Sequence, residues 1–516
     1  MSENQNNNQN NLFSETKSYP DSVSKSDIKN VHQIKDRENP YISGSDRSQT
    51  VMFPPLVDDY VSNDNPVRFV DEFVETLDLS ELGFTHSIPK LTGRPSYAPS
   101  DLLKLYIYGY LKKIRSSRQL AQQTHLNVEI FWLLKKLNPD FRTIADFRKD
   151  NIVGIKKVCQ EFTLLCKKLN LFGGELVAVD GSKFCAVNHN SKVTSAKDIA
   201  ILIKQIDENI EEYFINMEKQ DTTEEPIEQP STDDLNAAIL KLKDHRESLS
   251  RLQESLKESG ETQIAKTDPD CRKMRTGHQG IDMCYNVQIS VDSKHKLIVA
   301  HDVTNDTNDL NQLVPMAEQS KEVLEVETLE LTADKGYFNE EQIAECDAKD
   351  IKCYIPVPEK SHNKSKGLFT DKDFVYDDTN DLYVCPGKEK LTLTYEVTKH
   401  EKQTGVYKTK ACKECKLRSK CTTSKEGRRI YRSQYKDIIE TMQKRMKENP
   451  SVSQQRKSIV EHPFGTLKHT MGHGYFLMRG KEKVSAEMSM SVLTYNMKRV
   501  MNIVGITTLL EILKNF

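Results

Sequence analysis

The stretches ELVAVDGSKF (residues 175–184) and TLELTADKGYF (residues 328–338) decide the fold that we predict for this chain. Each contains a short apolar run that ends in an acid, Asp180 in the first and Asp334 in the second. A short apolar run bounded by polar residues is typical of a buried strand. We therefore predict two buried strands, each with an aspartate at its C-terminal end.

Helical and strand patterns alternate around these two runs. Residues 281–304 hold two alternating runs about a turn at 292–294, which predicts a pair of strands. Residues 308–326 and 340–350 have helical spacing, and 351–358 form one more apolar strand pattern. The sequence therefore predicts an α/β domain with a mixed sheet.

The N-terminal third has a different character. Residues 1–50 are rich in Asn, Ser, Asp and Lys with few apolar side chains, so we expect a disordered tail. Residues 51–172 have helical periodicity, which predicts an all-α domain. Its short helices carry basic residues, among them Arg115 and Arg118, and suggest a DNA-binding module of the helix-turn-helix kind. The alternative is a small helical bundle with ordinary surface charges.

Two insertions are expected to interrupt the α/β domain. Residues 188–265 alternate helical stretches with an acidic, proline-containing break, which predicts a helical hairpin with its tip near 220–234. Residues 359–435 form a basic region of short strands and turns, which predicts a small β-rich insertion. The catalytic domain would then comprise residues 173–358 and 436–510.

Length and composition bound the class of protein. At 516 residues the chain exceeds the size of one hydrophobic core, so two to four domains are expected. No stretch approaches the roughly 20 apolar residues that cross a bilayer, and the Asn-rich start lacks the pattern of a signal peptide. We therefore expect a cytoplasmic protein with no membrane partner.

Charge is unevenly distributed although the net charge is only −2. Residues 201–240 hold 11 acidic and 2 basic side chains, whereas residues 401–480 hold 19 basic and 7 acidic ones. Phosphate binding needs a local basic surface rather than a basic whole protein. The second segment therefore fits a nucleic-acid partner, and a plainly solvated basic face is the alternative.

Four of the 11 cysteines cluster in the β-rich insertion: Cys385, Cys412, Cys415 and Cys421. Four thiols with one C-x-x-C pair match a closed, tetrahedral zinc site. Cys385 lacks a nearby partner, so the usual paired knuckle is missing. We predict a structural Zn²⁺ site here, with reduced or redox-active cysteines as the alternative.

The order of acids in the chain favours metal chemistry. Asp180 and Asp334 follow two strands of one domain, and Glu461 lies on a late helix. Carboxylates can hold Mg²⁺ while leaving positions for water and phosphate. Two such ions can stabilise the attacking and leaving oxygens of a phosphoryl displacement. This order of acids suits a two-metal nuclease.

The motifs around these acids resemble those of bacterial insertion-sequence transposases of the DDE type. VAVDGSKF around Asp180 and LTADKGYF around Asp334 look like the first two acidic motifs, and RKSIVEHPFGTLKHTMGHGYFLMRG around Glu461 looks like the third. Residues 93–120 and 142–150 resemble the helical region before the catalytic domain of that group. The resemblance covers roughly residues 50–505 in order.

This resemblance implies an RNase H-like catalytic fold with Asp180, Asp334 and Glu461 as its metal-binding triad. It further implies Mg²⁺ or Mn²⁺ as cofactor, cleavage at terminal inverted repeats, and joining of the freed 3′-OH to target DNA. Members of the group act as multimers on paired ends, so a homodimer or higher multimer at the nucleoid is expected. A nuclease without strand transfer and a catalytically inactive, transposase-derived DNA-binding protein are the alternatives.

The helix of the third motif departs from the family pattern. Gln454, Lys457 and Lys468 lie seven before, four before and seven after Glu461, so helical spacing predicts one shared face. In the family this face usually carries Tyr, Arg, Glu and Lys, with the cations on DNA phosphates. Here Gln454 takes the Tyr position and Lys457 the Arg position, with Arg456 adjacent.

A basic segment, CRKMRTGHQG at residues 271–280, precedes the predicted strand pair. By its position, Arg272 and Arg275 are candidates for contact with the substrate strand. The alternative is an ordinary basic loop, and the residues alone do not decide between the two.

Overall fold

The structure, a computed structural model, describes residues 56–88, 95–188, 193–222, 232–276, 280–358, 365–399 and 402–515. The tail predicted for residues 1–50 lies outside these ranges, as does most of the predicted hairpin tip. The described strands are, in chain order, β1 (Leu176–Cys185), β2 (Val193–Ser195), β3 (Gln263–Ala265), β4 (Arg272–Thr276), β5 (Gly280–Asp292), β6 (Ile298–Thr304), β7 (Leu329–Thr332), β8 (Ile351–Tyr354), β9 (Val375–Asp377), β10 (Leu382–Val384), β11 (Lys390–Lys399), β12 (Lys402–Lys408) and β13 (Ile430–Ser433).

Helices come before, between and after the strands. The described α-helices are α1 (Pro66–Glu75), α2 (Pro99–Leu111), α3 (Ser117–Gln123), α4 (Val128–Leu133), α5 (Phe141–Asp150), α6 (Ile152–Lys168), α7 (Ala196–Thr222), α8 (Thr232–Ser259), α9 (Leu313–Leu324), α10 (Glu340–Ala348), α11 (Arg418–Cys421), α12 (Lys436–Glu448), α13 (Pro450–Gly465), α14 (Lys481–Val504) and α15 (Ile506–Lys514). None of the helices in the described ranges is both long and apolar enough to cross a membrane.

The central sheet is mixed, with the order β4-β5-β1-β7-β8, and β6 also pairs with β5. Strand β5 pairs antiparallel with both β1 and β6. Strand β7 runs parallel to β1, and β8 runs parallel to β7. Helix α9 connects β6 to β7, and helix α10 connects β7 to β8. Parallel strands need such crossover connections. The predicted α/β class with a mixed sheet is therefore confirmed.

Both faces of β1 are buried. Ala178 packs into one hydrophobic core, and Val177 and Val179 pack into another. Successive side chains of a strand point to opposite faces, so a strand buried on both faces is a continuous apolar run rather than an alternating one. The first core also contains helices α1, α2, α6 and α14, so the N-terminal helices and the sheet share one apolar interior.

Two smaller bodies carry cores of their own. Helices α7 and α8 pack on each other through apolar residues, with β2 and β3 pairing at their base and an Arg246–Asp207 ion pair across them. Strands β9 to β13 form a separate antiparallel sheet in the order β13-β12-β11-β10-β9. Its core consists of Phe374, Tyr383, Leu391, Tyr407 and Ile430. These bodies lie in the segments predicted as insertions, whose exact domain bounds stay a prediction.

Candidate active site

Asp180 and Asp334 lie at matching positions of neighbouring parallel strands. Ala178 of β1 is paired with Thr332 of β7, and each aspartate follows two residues later. The prediction that Asp180 ends its strand is wrong, because β1 continues to Cys185 and stays paired with β5. Only β7 ends there, and its end leaves the edge of β1 open beside Asp180.

The environment of Asp180 penalises its negative charge. Burial, and the nearby charges of Asp334 and Asp309, raise the pKa of Asp180 to about 6, although Arg456 opposes the rise. An Arg456 Nη1 atom lies 3.8 Å from Asp180 Oδ2, and the Asp180 side chain is 24% exposed. Like charges that raise a carboxyl pKa mark a place where a cation is favoured.

The turn after β7 holds the second aspartate. Asp334 is half-buried and its Oδ1 accepts a hydrogen bond from Gly336 N at 2.7 Å. This bond caps the short turn of residues 335–337 and fixes the direction of the carboxylate. Asp180 is held in a similar way, since its Oδ1 accepts from Gly181 N at 3.0 Å. In each aspartate the other oxygen, Oδ2, accepts no hydrogen bond from the described residues.

A third acid, Asp309, lies at the same edge and was missed from the sequence. It sits in the loop between β6 and α9, and its Oδ1 accepts from Asn286 Nδ2 at 2.6 Å and Gln288 Nε2 at 2.8 Å. A Cβ placed on Gly181 would lie 2.7 Å from that oxygen. An aspartate shortly before a helix looks like an ordinary capping or turn residue, so its sequence context carried no distinguishing signal.

Glu461 does not join this group of acids in the structure. It lies within α13, is exposed, and makes no hydrogen bond or ion pair with the described residues. Pro463 lies in the last turn of α13, and a π-helical turn follows at Thr466–Thr470. A π turn fits a helix whose backbone hydrogen bonds are disturbed by proline.

The cations of the third motif point in different directions. Arg456 faces Asp180, whereas Lys457 is exposed, as is Glu461 one helical turn later. Lys468 is turned inward: its Nζ donates to Ser182 Oγ at 2.6 Å and to the Lys183 carbonyl at 2.8 Å. The predicted single face is therefore divided, because the π turn redirects Lys468 onto β1.

Arg115 has an interior position that does not fit the predicted DNA contact. Its side chain is 5% exposed, and it donates to the Tyr475 carbonyl at 2.8 Å and the Gly472 carbonyl at 3.0 Å. It also lies 3.5 Å from a carboxylate oxygen of the buried Glu487. The helix-turn-helix pattern could not reveal this, because the partners lie more than 350 residues away in the chain. Arg118, in contrast, is exposed beside the Phe141 ring.

The basic segment before β5 forms the edge strand β4. Arg272 uses its guanidinium within the protein, donating to the Pro269 carbonyl at 2.8 Å and to Glu261 Oε1 at 3.2 Å. Arg275 is exposed. Of these two predicted DNA contacts, only Arg275 presents its charge to solvent.

The four clustered cysteines line one small cavity in the second sheet region. Burial and the other three thiols raise the pKa of Cys421. A Cβ on Gly387 would lie 3.5 Å from Cys385 Sγ and 3.6 Å from Cys415 Sγ, so both of these thiols lie close to the backbone of Gly387. The four cysteines thus line the same cavity.

The described residues contain no group of three or more His, Cys, Asp or Glu side chains arranged to hold a metal ion. The four thiols therefore share a cavity without forming a ligand set, and the zinc site stays a prediction. The acidic edge fits a divalent cation in its chemistry, since its donors are hard carboxylate oxygens with uncompensated charge.

Comparisons with known proteins identify two segments of the chain. Residues 384–501 match the model of a transposase DDE domain, and residues 55–150 match that of a transposase domain (DUF772). The first match contains Glu461 and the four clustered cysteines, and the second contains Arg115 and Arg118. No curated protein matches the chain.

One solved structure is similar at low identity, the cryo-EM structure of a piggyBac transposase synaptic complex with hairpin DNA. It is 8% identical, the alignment covers 87% of this chain and 79% of that one, and the TM-score is 0.30.

Proposed function

We propose that the chain is an insertion-sequence transposase of the DDE type, because two of its segments match transposase domain models, and that it cleaves the ends of an insertion sequence and joins them to target DNA. The substrate would be double-stranded DNA carrying the terminal inverted repeats of the element. The observation that carries this proposal is the acidic edge of the central sheet, where Asp180 and Asp334 lie at matching positions of β1 and β7.

An RNase H-like catalytic domain is the fold that this function requires. The strand order β6-β5-β1-β7-β8 supports it, with three antiparallel strands followed by two that run parallel to β1. In open α/β sheets, ligands bind beyond the carboxyl ends of parallel strands. The acidic edge lies at such an end of β7, and residues 173–358 and 436–510 are our proposed extent of the domain.

Asp180, Asp334 and Glu461 are the proposed ligands of Mg²⁺ or Mn²⁺. Bound ions would supply a Lewis acid that stabilises the attacking and leaving oxygens of a phosphoryl transfer. The protein's own contribution is to hold Asp180 and Asp334 by the Gly181 and Gly336 amides, so that each presents its second oxygen. Arg456 balances part of the charge on Asp180.

DNA phosphates are the proposed partners of the exposed cations Lys457, Arg118 and Arg275. Each phosphate contact adds affinity that declines with salt. Arg115, Arg272 and Lys468 instead use their donors inside the protein, so their role would be to hold the surfaces that carry the DNA contacts. A homodimer or higher multimer on paired ends would bring two such surfaces together.

A structural Zn²⁺ on Cys385, Cys412, Cys415 and Cys421 remains part of the proposal. Their shared cavity beside the basic strands supports it. Elemental analysis of purified protein should find about one zinc per chain, as one tetrahedral four-thiolate site requires. Replacing Cys412 and Cys415 together by Ser should remove it, and zinc that persists in this variant would contradict the assignment.

The test is a cleavage and joining assay on DNA that carries the element's own ends. The wild-type chain should cut and join with Mg²⁺ or Mn²⁺, and Asp180→Asn and Asp334→Asn should each abolish both steps. Asp306→Asn is the matched control, because Asp306 is an exposed acid in the loop after β6 whose carboxylate holds Gln312. Cleavage that survives Asp180→Asn contradicts the triad, and cleavage without joining indicates a nuclease.

Glu461 is exposed and makes no hydrogen bond or ion pair with the described residues, which favours one second candidate, a catalytically inactive DNA-binding protein. In that case the wild-type chain and Asp180→Asn would bind the inverted repeats with equal affinity. Neither protein would cut the DNA with Mg²⁺ or Mn²⁺. Binding and cleavage measured on the same DNA therefore separate the two functions. Loss of cleavage in Glu461→Gln with unchanged end binding would favour the transposase.

A further inference from the structure

Two cysteines of the central sheet lie directly opposite each other on neighbouring strands. Cys185 is the last residue of β1, and it is paired in register with Cys284 of β5. Directly opposite residues of an antiparallel pair project their side chains from the same face of the sheet, with their Cβ atoms close together. The fold therefore places two thiols side by side that are far apart in the chain.

The backbone hydrogen bonds show which kind of antiparallel pair the two cysteines form. Ala186 N donates to the Met283 carbonyl at 2.9 Å, so the hydrogen-bonded pair is the next one along the strands. Cys185 uses its own backbone elsewhere, with its N–H on the Gly474 carbonyl and its carbonyl on Phe476 N. In a non-hydrogen-bonded pair the Cα atoms are only about 4.5 Å apart. That separation falls within the range of about 4.4–6.8 Å for disulfides, so a bond between the two needs little backbone movement.

The two thiols interact and differ in their surroundings. A hydrogen bond from the Cys284 thiol lowers the pKa of Cys185, burial and Asp282 oppose this, and the Lys468 ammonium lowers the pKa further. The same hydrogen bond, together with burial, raises the pKa of Cys284. Cys185 is half-buried, whereas Cys284 is fully buried. The thiolate is the nucleophilic form of cysteine, so Cys185 is the member of the pair that meets a reagent from solvent.

Other cysteines nearby lack this combination of pairing and access. Cys346 and Cys353 interact with each other, but both are buried. Cys271 is also buried, and its Sγ donates to the Asp268 carbonyl at 3.1 Å. A small oxidant from solvent therefore has no comparable access to these thiols.

We propose that Cys185 and Cys284 are a redox modification site, at which a hydroperoxide oxidises Cys185 and Cys284 then closes a reversible disulfide. This disulfide joins β5 to β1, the strand that carries Asp180. It adds a covalent link to a strand pair that is otherwise joined by backbone hydrogen bonds. The inference concerns the thiols alone and does not depend on the proposed function.

The reaction proceeds in two balanced steps with hydrogen peroxide as the oxidant. The Cys185 thiolate attacks one peroxide oxygen, an S–O bond forms and the O–O bond breaks, which leaves Cys185 as a sulfenic acid. The released hydroxide takes up the proton that Cys185 lost on ionising and becomes water. Cys284 Sγ then attacks Cys185 Sγ, the S–S bond forms and the S–O bond breaks. The second hydroxide takes the Cys284 proton, so two thiols are oxidised and one peroxide is reduced to two waters.

Mapping of the thiols in the full-length chain tests the proposal. The protein is treated with hydrogen peroxide, its remaining thiols are blocked with iodoacetamide in denaturant, and the digest is analysed by mass spectrometry. We expect a linked peptide pair that contains Cys185 and Cys284 and that disappears after reduction with dithiothreitol. Oxidised protein without this pair, or with Cys185 joined to Cys185 of a second chain instead, overturns the proposal.

Two variants test the order of the steps. In Cys284→Ser, Cys185 should accumulate as a sulfenic acid that dimedone traps, whereas the wild type should give little of this adduct. In Cys185→Ser, Cys284 should stay a thiol under the same treatment. Oxidation of Cys284 in Cys185→Ser at the wild-type rate overturns the proposal, and this variant changes only the half-buried member of the pair.

Cys271→Ser is the matched control, because Cys271 lies beside β4 in the same sheet but is not paired with Cys185. It should form the Cys185–Cys284 disulfide as the wild type does. Loss of the disulfide in this variant would show that Cys271 relays the oxidation and would overturn the direct route.

Labelling of the native, reduced protein tests the access that the proposal assigns to Cys185. Iodoacetamide should modify Cys185 about tenfold or more faster than Cys284, because exposed thiols of lowered pKa are the reactive ones. Treatment with peroxide should abolish labelling of Cys185, and dithiothreitol should restore it. Equal labelling of the two cysteines, or loss that dithiothreitol does not reverse, contradicts the assignment.

Discussion

Gly181 occupies the most crowded position at the acidic edge. A Cβ there would lie 2.5 Å from Gln288 Nε2, 2.7 Å from Asp309 Oδ1 and 3.1 Å from Tyr337 OH. Gly181→Ala should therefore displace these groups and lower the free energy of unfolding by about 1–3 kcal/mol, as overpacking does. Urea unfolding measures the stability, and Mn²⁺ titration should show weaker binding.

Gly465 is the matched control for that substitution. It has helical backbone angles at the end of α13, and a Cβ there would meet no atom within 4 Å. Gly465→Ala should leave stability unchanged or raise it by up to about 1 kcal/mol, because alanine favours the helix. Equal losses in both variants would show that crowding around Gly181 is not the cause.

Asp180 predicts a pH dependence of stability in the metal-free protein. Its folded-state pKa is about 6 against an ordinary value of 3.8, so its ionisation destabilises the fold by at most about 3 kcal/mol at pH 8. Asp180→Asn should be more stable than the wild type at pH 8. That advantage should shrink as pH falls through about 6 and vanish below about 4, where Asp180 is protonated in both the folded and the unfolded state. Urea unfolding with a chelator, repeated across this range, measures it, and equal stability at pH 8 would contradict the raised pKa.

At the scale of elements, the junction between α13 and β1 depends on Lys468. Its ammonium group is held by Ser182 Oγ and the Lys183 carbonyl and lies 4.5 Å from the Phe184 ring centre. Lys468→Ala should leave the Lys183 carbonyl unpaired and lower stability by roughly 1–3 kcal/mol. Thermal or urea unfolding measures this loss.

Lys457, which is exposed on α13, should behave in the opposite way. Lys457→Ala should leave stability unchanged and reduce the salt dependence of DNA binding by about one unit of slope, the effect of one lost phosphate contact. Binding titrations at several salt concentrations measure the slope. A large stability loss in Lys457→Ala, or none in Lys468→Ala, would reverse the roles assigned to these two lysines.

At the scale of the whole molecule, Arg115 connects the N-terminal helices to the C-terminal part of the chain. Its guanidinium contacts the loop at residues 472–475 and the buried carboxylate of Glu487 on α14. Arg115→Ala should lower the free energy of unfolding by roughly 1–3 kcal/mol, because it leaves the Tyr475 and Gly472 carbonyls without their donor. Urea unfolding measures the loss.

Arg118→Ala, three residues away on the exposed face, is the control for Arg115→Ala. It should affect DNA binding and not stability. A stability loss as large as that of Arg115→Ala would contradict the division between interior and surface that we assign to these arginines.

Periodicity predicted the elements of the fold because it depends only on neighbouring residues. The mixed α/β class followed from runs of strand and helix length within short windows. The end of the first strand was placed wrongly at Asp180, because the part of β1 beyond Asp180 is polar and is defined by pairing with β5. Pairing with a strand about 100 residues later leaves no mark in a local window.

The sequence by itself was enough to single out Asp180 and Asp334 as acids that follow buried apolar runs, because a run of apolar residues is visible in a short window of sequence. Only the tertiary structure decided what surrounds them. Asp309 joins them through hydrogen bonds to β5, Arg115 is withdrawn from the surface by Gly472 and Tyr475, and Lys468 is turned inward. Each of these outcomes depends on contacts between residues far apart in the chain, and such contacts exist only once the chain has folded.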